Sequence, residues 1–120
     1  VWDVPTGAEA GGFEFAPGWH FGWALSADGA VAAAGRGVSG PGDRLRVWDA
    51  RTGRPLAAPP ADALPQCLAA SADGSRVAWG GGPNRKTPGP TLTVWDVRGE
   101  RAAAVVPVPD RPLRAVAVSP

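Results

Sequence analysis

The sequence predicts an all-β chain assembled from repeating four-strand units, and three observations carry that expectation. The tripeptide Val-Trp-Asp occurs three times, with its tryptophans at Trp2, Trp48 and Trp95, 46 and 47 residues apart. A second marker, Ser-Ala-Asp-Gly, runs from Ser26 to Gly29 and from Ser71 to Gly74, 45 residues apart, and Ser119-Pro120 opens a third copy. The distance from each Trp to the next Ser is 24, 23 and 24 residues, so two independent markers keep one phase, and a period in the forties is the signature of a repeat architecture. Thirdly, the apolar residues fall in short runs, and most of the 17 Gly and 14 Pro lie between the runs, as in a β protein with many turns.

Each period reads as four strands. Residues 21–25 form an apolar run that stops at the turn signal Ser26-Ala27-Asp28-Gly29. Residues 30–34 follow; their alanines favour helix, but Gly29 and Gly35 cut the segment to strand length. After a Gly-rich loop, Arg44-Leu45-Arg46-Val47-Trp48 alternates polar and apolar, the pattern of a half-buried strand. Residues 49–53 turn again, and 54–58 make a weaker fourth strand. The second period repeats the order at 66–70, 75–79, 91–95 and 101–106. Aligned on the Ser marker, Trp23, Leu68 and Val116 coincide, as do Leu25, Ala70 and Val118, with small residues between them. A strand apolar on both faces, one of them kept small, suits a place between neighbouring sheets, so this strand is expected to be innermost.

Composition narrows the function classes. Twelve Lys and Arg against 11 Asp and Glu leave a net charge near +1, which gives no electrostatic reason to expect nucleic acid or an anionic membrane as partner. Six Trp argue against disorder despite the Gly and Pro content. Arg outnumbers Lys 11 to 1, a mark of high-GC coding. The single Cys67 allows no internal disulfide and lies in an apolar run, the setting of an inert thiol. No apolar stretch approaches 18 residues and no signal-peptide pattern opens the chain, so the expected compartment is the cytoplasm.

Ser-Ala-Asp-Gly, a strand, then Val-Trp-Asp followed by Thr6-Gly7 or Thr52-Gly53 resembles the WD40 repeat, and the resemblance covers essentially the whole chain. It implies a WD40-like β-propeller in which each repeat supplies one four-stranded antiparallel blade. On that phase, 1–20 would end one blade, 21–58 and 66–106 would be full blades, and 114–120 would be the first strand of another. The chain is then expected to be part of a larger ring whose remaining blades are its neighbours. Trp2, Trp48 and Trp95 would be blade-core residues. Ser26, Asp28, Gly29, Ser71, Asp73 and Gly74 would hold one set of turns, and Asp3, Asp49 and Asp96 the other. The family's Gly-His pair is matched only loosely by Gly18-Trp19-His20, and its second-strand Ser gives way to Ala33 or Ala34 and to Ala78. The polar network of the family is therefore expected to be missing, with apolar packing in its place. Val97-Arg98-Gly99 after the third Trp-Asp lacks the Thr of the other two turns.

Catalytic templates all fall short. One histidine, His20, excludes a multi-His metal site and would have to serve any Ser-His-Asp arrangement alone. The glycines from Gly35 to Gly40 resemble a phosphate loop, but no helix and no Gly-Lys-Ser/Thr follows. Neither an enzyme activity nor a cofactor or metal is expected.

Function is expected in the loops. Alternating strand direction gathers the fourth-to-first and second-to-third connections at one face, with long loops at 35–43 and 80–90. That face collects Trp19, His20, Arg36, Arg85, Lys86 and Arg111, with Phe21, Gln66 and Arg114 at its inner rim. Trp and Arg are the residues most enriched at interface hot spots. The expected role is a non-catalytic scaffold that binds a protein or peptide through this face. The alternative is a sensory or ligand-binding propeller segment joined to an enzyme or signalling kinase, since such repeats in high-GC, bacteria-like sequences often accompany kinases. A third reading is homo-assembly through exposed blade edges.

Overall fold

A computed structural model of the chain describes residues 2–9, 11–12, 19–37, 44–61, 64–82, 89–109 and 113–119, the side chains of 19–21 excepted. Eight strands form two four-stranded antiparallel sheets, and no helix occurs among the described residues. The first sheet is β1 (Trp19–Leu25), β2 (Val31–Gly37), β3 (Leu45–Asp49) and β4 (Pro55–Ala57), in that spatial order. The second is β5 (Pro65–Ala70), β6 (Arg76–Gly81), β7 (Thr91–Asp96) and β8 (Arg101–Pro107), again in chain order. The chain is all-β, and its strand order is that of two successive meanders.

The tight connections form because the sequence places Gly where the backbone turns left-handed. Gly29 and Gly74 both have φ of 67°, and Gly53 has 71°. In the third Trp-Asp turn Gly99 comes one residue early, so Glu100 takes the left-handed position with φ of 49°. A side chain there costs about 1–2 kcal/mol, a strain the other two turns avoid with Gly7 and Gly53.

The sheets stack face to face, with β5 against β1 and β2. Their shared core takes Val31, Ala33, Leu45 and Val47 from the first sheet and Val77, Trp79, Trp95 and Val97 from the second. Strand pleating decides these memberships, since alternate residues share a face. Trp48 lies opposite Ala32 and so points away from the second sheet, yet it is only 3% exposed. Trp95 lies opposite Val77 and packs with Trp79, ring centroids 6.5 Å apart at 45°. Ala78 pairs with Val94 on the other face. The second-strand residues that flank Trp95 are therefore Val77 and Trp79, and Ala78 lies on the far face. Trp95 Nε1 is buried and has no hydrogen-bond partner.

Glycines admit one sheet to the other. A Cβ built on Gly35 would lie 2.9 Å from Pro65 Cβ, and one on Gly80 would lie 2.6 Å from Leu113 Cβ. Gly35 and Gly80 are 45 residues apart, and Pro65 and Leu113 each stand six residues before a Ser marker. The same approach is thus made twice, the second time by the segment after β8.

The described chain ends lie outside the two sheets. Trp2 is 66% exposed; its stretch forms an isolated bridge to Glu9 and has no sheet over its face among the described residues. Residues 113–119 carry no strand ladder. A strand exists only with a hydrogen-bonded neighbour, and the described residues offer this segment none.

Candidate functional site

Each sheet has two ends of different construction. One end is built from tight turns in which short polar side chains satisfy the backbone. Ser26 Oγ donates to Asp28 Oδ1 at 2.6 Å and accepts from Val31 N–H at 2.9 Å, while Ala30 N–H also donates to Asp28. Ser71, Asp73 and Arg76 N–H repeat the pattern, with the Ser75 hydroxyl and N–H as further donors to Asp73. Both Ser markers are buried, so their hydroxyls need these partners. In the Trp-Asp turns, Asp49 accepts from Arg51 and Thr52 N–H, and Asp96 from Arg98 and Gly99 N–H. Asp3 accepts from the Thr6 N–H and hydroxyl. The two Ser-Ala-Asp-Gly turns are joined across the sheets, Asp28 N–H donating to Ala72 O at 3.1 Å.

These bonds set the protonation of the turns. The Ser71 hydroxyl, followed by the Ser75 N–H and hydroxyl, draws Asp73 from the usual 3.8 down to about 2. The Ser26 hydroxyl lowers Asp28, and backbone N–H donors at Thr52 and Gly99 lower Asp49 and Asp96. A carboxyl whose folded pKa is depressed contributes stability above its unfolded pKa and loses it as the pH falls through the folded value. Denaturant midpoints are accordingly expected to hold down to about pH 4 and to fall between about 3.8 and about 2. Asp73→Asn is expected to flatten that acid slope; an unchanged slope would show that the turn bonds do not discriminate between the charged and neutral forms.

Between these turns lies a cleft of about 450 Å³, lined by Val31, Leu56, Asp73, Gly74, Arg98 and Glu100 among others. Its aspartates are already committed to backbone donors, and no group of three or more His, Cys, Asp or Glu among the described residues could hold a metal. Cys67 is a free buried thiol. The cleft is a seam between capped turns.

The opposite end is where the sequence placed recognition. Trp19 and His20 open β1, their backbones opposite Gly37 and Arg36. The register slips between His20 and Gly22 and again between Pro65 and Cys67, so Phe21 and Gln66 are the extra residues of two equivalent β-bulges. Bulges bend a strand and re-aim its side chains, often beside functional sites. Gln66 is exposed, with its amide nitrogen near Gly82, and Arg114 is exposed as well. Arg36, partly buried, is the penultimate residue of β2; its N–H donates to Arg44 O at 2.7 Å, and its Nε is shielded with no hydrogen-bond partner. Arg85, Lys86 and Arg111 lie outside the described residues. The structure therefore brings Arg36, Gln66 and the bulged backbone at Phe21 to one end. The bulges have no sequence signature, since Phe21 and Gln66 share no residue type; only their identical distance from the Ser marker could have suggested them.

No protein-family model matches the chain, and no curated protein matches it. Among the described residues, no helix is long and apolar enough to cross a membrane.

Proposed function

We propose that the chain is a WD40-like propeller segment, a non-catalytic scaffold that presents its loop end to a protein or peptide partner. The observation that carries this reading is the repetition of one construction in two sheets. Both have the same strand order, the same bulge in the first strand, the same Ser-Asp turn cap and the same stacking glycine. Leu113 meets Gly80 as Pro65 meets Gly35, which is how a further blade would begin to stack. Capped turns make one end rigid, and the long connections collect at the other, the division of labour that suits recognition on a scaffold. Further blades in the parent protein would complete the ring, with no nucleic acid or membrane involved.

The reading is tested by capture from parent-cell lysate with wild type, Trp19→Ala and Arg85→Ala, each first shown to unfold at the wild-type denaturant midpoint. Loss of specific captured proteins in either variant is expected. Identical capture by all three would remove those two residues from the contact surface.

A further inference from the structure

Two buried side-chain nitrogens among the described residues have no hydrogen-bond partner, Trp95 Nε1 and Arg36 Nε. The first lies within the core between the sheets. The second lies at the loop end and belongs to a cation. A guanidinium N–H cut off from water and left without an acceptor is costly, and such orphans call for an explanation. We infer that Arg36 is an oxyanion-binding residue, which takes a carboxylate or phosphoryl group presented by the protein partner. The inference rests on the loop-end reading above and adds the chemistry the partner must carry.

The surroundings favour an anion. The Arg36 backbone is pinned in β2 by its bond to Arg44 O and by its register opposite His20, beside the bulge at Phe21. The base of the side chain is therefore held by a strand, which suits the planar fork of arginine to two-pronged recognition of an oxyanion. Arg44 and Arg114 are the other described charged residues at this end. The described acidic residues, Asp3, Glu9, Asp28, Asp49, Asp73, Asp96 and Glu100, all lie in or beside the tight turns, while Glu14, Asp43, Asp62 and Asp110 fall outside the described residues.

The test follows the arginine Nε–H resonances of the ¹⁵N-labelled chain during separate titrations with acetate and inorganic phosphate, with Arg36→Gln to assign the signal. The Arg36 resonance is expected to move saturably, at about tenfold lower anion concentration than that of exposed Arg54. Tighter response to acetate assigns a carboxylate-bearing partner, and tighter response to phosphate a phosphorylated one. A response no steeper than that of Arg54 overturns the inference. Thermal unfolding supplies the second readout. The better anion is expected to raise the Tm of the wild type but not of Arg36→Gln, because it binds only the native site. Equal gains, or an anion-free Arg36→Gln that melts well below wild type, would make Arg36 a packing residue instead. The titration needs no captured partner, so its failure is separable from failure of the scaffold reading.

Discussion

Trp95→Ala is expected to lower stability by about 3 kcal/mol, whereas the same change at Trp2 is expected to stay within about 0.5 kcal/mol. Both residues stand in the same tripeptide, so the difference comes wholly from what covers them. Trp95 is 9% exposed and packs with Trp79 in the core shared by the two sheets, while Trp2 is 66% exposed. A buried Trp removes roughly 150–250 Å² from water, and truncation also leaves a cavity, which together give a gross loss of about 3–5 kcal/mol. One term works the other way: the Nε1–H of Trp95 is buried without an acceptor, and deleting it relieves part of about 1–3 kcal/mol. Apolar burial wins because the area term is the larger. Trp95→Phe separates the two, since it removes the orphan N–H and keeps most of the packing; it is expected to fall within about 1.5 kcal/mol of wild type. Urea midpoints read by far-ultraviolet circular dichroism give all three values. Equal losses at Trp95 and Trp2 would mean that the two sheets do not pack as a unit.

How far the sequence discloses this molecule depends on whether a property is local. The strands were legible because each is bounded by its own punctuation: Gly29 and Gly74 can turn left-handed, and Arg44 to Trp48 alternates in a way only a strand satisfies. The all-β class follows from those local signals. Burial of a repeated residue is not local. Trp2, Trp48 and Trp95 share the tripeptide Val-Trp-Asp, yet Trp2 is exposed while Trp48 and Trp95 are buried. The pleat is a second case. Ala78 and Trp79 are adjacent in sequence, yet the register that puts Val77 opposite Trp95 sends Ala78 to the far face. The loop end is the third. Arg36 could be picked out as a contact residue by its type, but its shielded Nε depends on packing around β2, and the bulges at Phe21 and Gln66 depend on cross-strand register. Glu100 is intermediate, because a missing Thr marked the turn as irregular while the left-handed φ at Glu100 needed the backbone.

Gly35→Val is expected to be the most damaging single-residue enlargement in the first sheet, at about 2–3 kcal/mol. Backbone preference argues for the opposite sign. Gly35 sits inside β2 without a left-handed φ, so a β-branched residue would by itself favour the strand by up to about 1 kcal/mol. Packing overrides it. A Cβ at Gly35 would stand 2.9 Å from Leu68 Cδ1, 2.9 Å from Pro65 Cβ and 3.1 Å from Pro65 Cγ. The Leu68 methyl can rotate aside, but Pro65 is among the most fully buried side chains and its ring has no other rotamer to adopt. The second sheet must then back away from the first, loosening the contacts of Val31, Val47, Val77 and Trp95 together. Two companions test that cause. Gly89→Val meets open space within 4 Å and is expected to be nearly neutral. Gly35→Ala combined with Pro65→Gly is expected to lose less than the sum of the single changes, by at least about 0.5 kcal/mol, since removing Cβ and Cγ of Pro65 makes room for the new methyl. Strict additivity would locate the damage within β2 and not between the sheets. The same logic predicts where such a chain tolerates variation: at residues like Gly89, and not at the glycines through which one sheet receives the next.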